Sequence, residues 1–330
     1  MHEAKWYVQL KNKNVQCKLC PNFCLIKENE LGKCSVRKNV QGKLYSLVYN
    51  NPIATAVDPI EKKPLYHFLP SSKVYSLGTI GCNFKCQFCQ NWQLSRSKEI
   101  AIRTLTPEEV IKQILKNKCK SIAYTYNDPI VFLEYVIDIA KLAKKKDIKN
   151  VFVSNGYINK EPLEELCKYI DAASIDIKGF TEKFYKEFCY GKLKPILEAL
   201  KIMKKKGVWI EIINLVIPTL NDNLKEIEKM CLWIKENLGE ETPLHFSRFF
   251  PYYKIVNLPI TPENTLLKAK EIAEKVGLKH VYIGNIEGNQ DTLCWKCKKI
   301  LIHRNYYKTE NNIKENNCRY CNTKIAGIFK

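Results

Sequence analysis

Cys82, Cys86 and Cys89 stand in the run Gly81-Cys-Asn-Phe-Lys-Cys-Gln-Phe-Cys-Gln-Asn-Trp92, with three and then two residues between them. Three thiolates spaced this way can wrap one iron–sulfur cube and leave one iron without a protein ligand. A structural zinc or an electron-transfer cluster normally takes four protein ligands, so a loop offering three is arranged for an exogenous group to complete the shell. The spacing argues for an enzyme.

Two further cysteine groups flank this loop. Cys294 and Cys297, then Cys318 and Cys321, form two CxxC pairs separated by twenty residues, the spacing of a four-cysteine zinc ribbon. A rubredoxin-like iron site and bare thiols are the alternatives. In a short tail with little apolar material, the metal itself would supply folding energy. Cys17, Cys20, Cys24 and Cys34 also make a four-ligand set. Their irregular spacing fits either zinc or an auxiliary iron–sulfur cluster, zinc being favoured because a closed set needs no outside ligand. Cys119, Cys167, Cys189 and Cys231 are scattered and read as small core residues.

The elements that must position the reactive loop are strands alternating with amphipathic helices. Strand patterns cover 73–77, 121–125, 151–154, 172–177, 208–217, 244–249 and 280–283. Helical patterns cover 106–117, 131–146, 160–169, 193–206, 224–238 and 262–276, the first and last opening with a threonine cap and a proline. Repeated strand–helix units mean a parallel sheet, but periodicity alone leaves a barrel and an open doubly wound sheet equally possible. In either fold, reactive loops lie at the C-terminal ends of the strands, and the three-cysteine loop directly follows the first strand pattern. In the fourth strand the period of two puts Asp176 and Lys178 on one face and Ile175 and Ile177 on the other. Charges on an inward face are costly unless paired or bound to a polar ligand; the bland alternative is a strand-end ion pair.

Composition sets the class. The 330 residues are 45% hydrophobic and 27% charged, as expected of a soluble globular protein. No stretch is apolar enough to span a bilayer and the start lacks a signal-peptide core, so a cytoplasmic location and reduced thiols are expected for the fifteen cysteines. The net charge of +20 is mostly lysine, with six arginines among 54 basic residues. Such a field attracts acidic partners, nucleic acid included, yet specific nucleic-acid readers lean on clustered arginine. Lys144, Lys145, Lys146 and Lys204, Lys205, Lys206 instead close helical patterns, where lysine complements the dipole.

The cysteine loop, with Phe88 before its third cysteine, resembles the radical S-adenosylmethionine (SAM) superfamily signature CxxxCxΦC. With Ala-Tyr-Thr-Tyr-Asn-Asp-Pro, Asp-Ile-Lys-Gly-Phe, His-Phe-Ser-Arg-Phe-Phe-Pro and Tyr-Ile-Gly-Asn, it is similar to the pyruvate formate-lyase activating-enzyme-like branch, specifically the AmmeMemoRadiSam radical SAM proteins. The resemblance runs over nearly the whole chain. It implies an α/β fold, a partial (β/α)6-type TIM-like barrel of parallel strands, with small Cys-rich metal-binding extensions at both ends. The expected division is an N-terminal four-cysteine metal-binding extension over 1–70, the barrel over 71–288 and a zinc-ribbon-like module over 289–330.

The implied chemistry is a 4Fe-4S cluster on Cys82, Cys86 and Cys89 whose free iron chelates SAM. One-electron cleavage then gives a 5′-deoxyadenosyl radical that abstracts hydrogen from a substrate, while the protein positions the cofactor and excludes water and oxygen.

Carried over residue by residue, Phe88, Asn127, Asp128, Ser154, Asn155, Asp176 and Lys178 become cofactor-binding candidates. Asn127, Asp128 and Pro129 match the segment that accepts hydrogen bonds from the SAM ammonium, although Asp128 also reads as a helix cap. Ser154, Asn155 and Gly156 match a Thr-Asn-Gly beside the cofactor, or a plain turn. Val153 replaces the aspartate that helps hold a monovalent cation in activating enzymes, so no cation site is carried over. Asp176 and Lys178 match an Asp-x-Lys that contacts the SAM ribose or carboxylate. His245 and Arg248 are the weaker catalytic candidates, since a strand histidine is often structural.

The implied partners are a one-electron reductant of ferredoxin or flavodoxin type, a macromolecular substrate, most simply a protein, and Memo-family and AMMECR-family proteins. RNA and small-molecule substrates are alternatives. The non-enzymatic alternative is a zinc-ribbon metalloprotein that binds nucleic acid.

Overall fold

The computed structural model describes residues 1–97, 104–288, 290–305 and 308–330. The seven strand patterns all form strands, and an eighth precedes them: β1 (Ala54–Pro59), β2 (Lys73–Gly78), β3 (Ser121–Tyr124), β4 (Lys149–Ser154), β5 (Ala172–Asp176), β6 (Trp209–Val216), β7 (Leu244–Arg248) and β8 (Val281–Gly284). They make one sheet whose spatial order follows chain order. Neighbours from β2 to β8 are parallel, and β1 runs antiparallel to β2. Right-handed crossovers between strands in sequential order put every helix on one face, as in a barrel; a doubly wound sheet reverses its order midway. The outer strands β1 and β8 are not paired with each other, so the barrel is partial.

The crossovers are α1 (Pro107–Lys116), α2 (Leu133–Lys144), α3 (Lys160–Leu166), α4 (Lys194–Lys205), α5 (Leu224–Leu238) and α6 (Glu263–Val276), completing six strand–helix units. The α1 start is the expected one: Thr106 and Glu109 form a reciprocal capping box with Pro107 at the first helical position. The α6 start is not. Pro262 is its cap, and the Thr261 hydroxyl instead donates to Val216 O at 2.6 Å and accepts from Phe249 N at 3.1 Å. Those two bonds tie the ends of β6 and β7 together, a stronger demand than one helix-end donor.

The barrel interior changes character along its axis. At the N-terminal ends of the strands, Val74, Ala123, Val151 and Ala172 pack with Ile60, Leu65, Phe68 and Leu69 into a dry floor. Farther along β6, Glu211 is fully buried and accepts from Tyr66 N (2.9 Å), His67 N (2.8 Å), Trp209 Nε1 (3.1 Å) and His245 Nε2 (2.8 Å). Four donors answer the demand of a buried carboxylate. Next come Asp176, Ile213 and Ser247, which face an open cleft at the C-terminal ends of the strands.

Both extensions are fastened to this barrel. Two three-stranded sheets form the N-terminal part: His2–Glu3 with Lys43–Ser46 and Arg37–Val40, and Tyr7–Gln9 with Val15–Cys17 and Leu25–Ile26. Arg37 and Glu134 of α2, 1% and 6% exposed, form a bidentate ion pair between extension and barrel. The C-terminal part is a three-stranded sheet, Thr292–Leu293, Ile300–Asn305 and Lys308–Asn311, with a small hairpin of Ile313–Lys314 and Asn317–Cys318. It closes over the barrel floor: Arg304 donates to Tyr66 O at 2.8 Å, and Ile328 exchanges backbone hydrogen bonds with His67 and Leu69. Among the described residues, no helix is long and apolar enough to cross a membrane.

Candidate active site

The three-cysteine loop leaves β2 at the C-terminal mouth of the barrel. Asn127 fixes its first turn: Oδ1 accepts from Thr79 N (2.9 Å), while Nδ2 donates to Thr79 Oγ1, Ile80 O and Gly81 O at 3.1, 3.0 and 2.9 Å. These bonds fix the first turn of the loop, and Asn127 also lines the cleft beyond it, with one lone pair of Oδ1 left over. Asn155 holds the loop two residues farther on, its Nδ2 donating to Asn83 Oδ1 at 2.8 Å.

Beyond this point the loop opens onto a cleft of about 1040 Å³, mouth included, lined by Cys82, Cys86 and Cys89 together with Phe88, Asn127, Asp128, Ser154, Asn155, Asp176 and Lys178. The structure therefore brings together cysteines and cofactor-binding candidates that lie as far as 96 positions apart in the chain. Phe88 is buried and packs on Phe184 with ring centroids 5.9 Å apart.

Asp128 is a buried carboxylate with three donors: Ile130 N (3.1 Å) and Ser154 Oγ (3.0 Å) on Oδ1, and Asn155 N (2.8 Å) on Oδ2. It is the cap expected of it, at the start of the 3₁₀ turn Pro129–Phe132. Burial nonetheless raises it to about 6, against the pull of those hydrogen bonds. Asp176 ends β5 and Lys178 lies two residues beyond it, and the two pair at 2.9 Å on the cleft wall. Burial works to lower Lys178, but the charges of Asp176 and Cys86 hold it well above its ordinary value. Ile175 and Ile177 lie buried in the core on the other face.

The thiols call for positive charge. Burial raises Cys82 and Cys89; a hydrogen bond with Cys189, then burial, raises Cys86. Isolated thiolates are disfavoured here, and a metal centre that supplies cationic charge reverses the balance. Lys178 and Arg96 add fixed positive charge near Cys86. Three convergent thiols with two cations fit an anionic iron–sulfur cube with one iron left open.

Several contributors were not foreseen. Cys189 reaches Cys86 from a π-helical turn, Tyr185–Cys189. Ser95 lies 3.7 Å from the Cys89 sulfur, and Arg96 donates to Phe84 O. No local signal marks Cys189, since its partner is 103 positions earlier; Arg96 could have been found as one of only six arginines, close behind the motif.

The two catalytic candidates sit elsewhere. His245 lies below the cleft, paired with Glu211 and stacked near Tyr282. Arg248 points to the outer end of β7, donating to Thr261 O at 2.8 Å and Glu263 Oε1 at 3.1 Å. Their strand neighbour Ser247 does line the cleft.

The two four-cysteine groups differ. The four C-terminal sulfurs, of Cys294, Cys297, Cys318 and Cys321, all lie within 4.8 Å of one another, with Cys294 to Cys321 at 3.6 Å and Cys297 to Cys318 at 3.7 Å. A tetrahedron of about 2.3 Å zinc–sulfur bonds has edges of about 3.8 Å, so this group fits one small metal ion. Cys17, Cys20, Cys24 and Cys34 ring a separate cavity whose lining is mostly apolar but includes Asn22, Arg37 and Asn83.

Comparison with known proteins agrees with this geometry. Residues 77–234 match the radical SAM superfamily. An uncharacterized protein of Methanocaldococcus jannaschii is 43% identical over 98% of this chain and 99% of its own length. The pyruvate formate-lyase-activating enzyme of Clostridium pasteurianum is 29% identical over 47% of this chain and 66% of its own. Among solved structures, a radical SAM methyltransferase from Sphaerobacter thermophilus shares the fold, with a TM-score of 0.53 at 11% identity over 66% of this chain and 67% of that one. The motif, the partial barrel and these relatives together place the chain in the radical SAM superfamily, whose members use a 4Fe-4S cluster and SAM, among homologues named as glycyl-radical enzyme activating enzymes.

Proposed function

We propose that the chain cleaves SAM reductively at a 4Fe-4S cluster held by Cys82, Cys86 and Cys89 and abstracts hydrogen from a protein substrate. The observation that carries this is the convergence of the three thiols with Asp128, Asp176 and Lys178 on one cleft at the strand ends. When bound, cluster and SAM supply a one-electron carbon–sulfur cleavage that yields a 5′-deoxyadenosyl radical.

The residues divide the remaining work. Asp128 offers its spare lone pair to the SAM ammonium, held in place by Ser154 and Asn155. Asp176 and Lys178, on the same cleft, address the ribose and carboxylate. Asn127 and Asn155 fix the cysteine loop, and Phe88 keeps water from it. His245 and Arg248 serve as supports of the barrel, each already committed to protein partners.

The ribbon holds structural zinc, and the chain divides into extension, barrel and ribbon at about residues 70 and 288. We place it in the cytoplasm, in the AmmeMemoRadiSam group, with a ferredoxin or flavodoxin as reductant and Memo-family and AMMECR-family proteins as partners. The relatives named for activating other enzymes support a protein substrate.

Anaerobic protein reconstituted with iron and sulfide, then reduced with dithionite, forms 5′-deoxyadenosine from SAM. The Cys86→Ala variant forms none while retaining ribbon zinc. Absence of turnover by cluster-loaded wild type would sink the proposal. Deuterium carried from an extract component into 5′-deoxyadenosine identifies the substrate class.

A further inference from the structure

Two four-cysteine groups with similar local motifs have been folded into different containers. Among the described residues, the ribbon cysteines form the metal-binding group whose sulfurs all lie within 4.8 Å; neither the N-terminal four nor the reactive three is drawn into such a group. Cys17, Cys20, Cys24 and Cys34 instead surround a cavity walled by Leu19, Ile26, Ile130 and Val131. A zinc ion needs sulfurs about 3.8 Å apart, whereas a cube with a thiolate on each iron holds them farther apart. The N-terminal group shares the open arrangement of the reactive loop.

Arg37 is the independent sign that this cavity is made for an anion. Its side chain is 1% exposed and lines the cavity beside Cys17 and Cys34. The two terminal nitrogens are taken by Glu134, but Nε has no hydrogen-bond partner. A buried N–H left over in this way is costly, and sulfur of a cluster is a fitting acceptor. Lys33 N already donates to Cys24 Sγ at 3.4 Å.

The cavity lies directly behind the reactive loop. Asn83 faces it, while the adjacent Cys82 and Phe84 face the active-site cleft. Gly81, at φ +85°, passes so close that a Cβ would stand 2.6 Å from Cys34 O and 2.7 Å from Val36 Cγ1. The two cysteine groups are therefore separated by little more than one strand of backbone.

We propose that Cys17, Cys20, Cys24 and Cys34 hold a second 4Fe-4S cluster, fully ligated by the protein, that relays electrons to the reactive loop. It takes one electron from a low-potential donor of ferredoxin or flavodoxin type and gives the same electron up across Gly81–Asn83, so it is unchanged over a turnover. The relay rests on the radical chemistry proposed above; the cluster assignment does not.

The full chain with Cys82, Cys86 and Cys89 all replaced by Ala separates the two. Reconstituted anaerobically, it retains about four irons and four sulfides per chain, beside the ribbon zinc. Reduction with dithionite gives a paramagnetic cluster signal that SAM leaves unaltered. A chain holding no iron and a second zinc overturns the assignment. Conversely, Cys17→Ser with Cys34→Ser lowers the reconstituted wild-type content from about eight irons to about four. If that variant does not fold, the metal count of the triple Ala variant decides alone. In the folded serine variant, flavodoxin-driven 5′-deoxyadenosine formation is lost while dithionite-driven formation persists; an unchanged flavodoxin-driven rate overturns the relay.

Discussion

Asp128→Asn tests whether the buried carboxylate meets the cofactor's ammonium. The carboxylate has roughly four lone-pair directions, and three are filled by Ile130 N, Ser154 Oγ and Asn155 N. The fourth is left over in a residue that lines the cleft. In the asparagine variant one oxygen becomes an NH₂, which confronts either the Asn155 N–H or the Ile130 and Ser154 donors. Removing the charge-assisted contact to SAM costs about 1.5–3 kcal/mol, a loss of roughly 10- to 150-fold in affinity.

The pH dependence follows from the raised carboxyl, at about 6. It is charged above that value and neutral below, so affinity is present at pH 7.5 and fades as pH falls through 6, by about fourfold at pH 5.5. The charged form is also the one SAM favours, so binding near pH 6 releases a proton. Calorimetry on anaerobic cluster-loaded protein between pH 5.5 and 7.5, in buffers of different ionisation heat, measures affinity and proton release together. Wild-type affinity independent of pH, or an asparagine variant that binds within about twofold of wild type, refutes the role given to Asp128.

Gly81→Ala places a methyl against Cys34 O and Val36 Cγ1 at a backbone angle disfavoured for alanine; it should lower stability by about 2–4 kcal/mol in urea denaturation and reduce bound iron. His280, held at about 4 by burial, is neutral in the folded protein. Its contribution is present above pH 6.5 and lost as pH falls toward 4, so His280→Leu should remove about 3 kcal/mol of acid sensitivity, read from denaturation midpoints across that window. Arg304→Met removes the bonds to Gln290 O, Thr292 Oγ1 and Tyr66 O. The tail after residue 290 should then be cleaved faster in limited proteolysis, with zinc content unchanged.

The six strand–helix units were legible because the faces they bury repeat at fixed periods, and Asp176 and Lys178 followed from the same rule. β1 escaped because Ala-Thr-Ala-Val-Asp-Pro carries little apolar weight and pairs antiparallel outside the repeat. The placement of Asp128 was legible as both cap and cleft residue. The task of Asn127 was not, since its four bonds reach back 46 to 48 positions to the turn it fixes. His245 was visible as an inward strand residue, but its hydrogen-bond partner Glu211 is supplied by the neighbouring strand, and no local pattern joins them.

Cysteine spacing carries the same limitation for metals. A CxxC pair fixes one local turn, as where Cys297 N donates to Cys294 Sγ at 3.5 Å, but the distance between two such turns is a tertiary property. In the C-terminal group, Leu301, Ile302 and Ile325 pack with Cys294 and Cys318 and hold the two turns together. In the N-terminal group, the equivalent space is held open by Leu19, Ile26 and the α2 approach residues Ile130 and Val131, with Arg37 braced by Glu134 at its edge. Replacing Arg37 by Met would strand Glu134, a loss of about 3–5 kcal/mol, and would also remove a buried, unpartnered donor beside the cavity. Charge balance and sulfur separation, both absent from the motif, are the properties that would distinguish a cluster from a zinc ion.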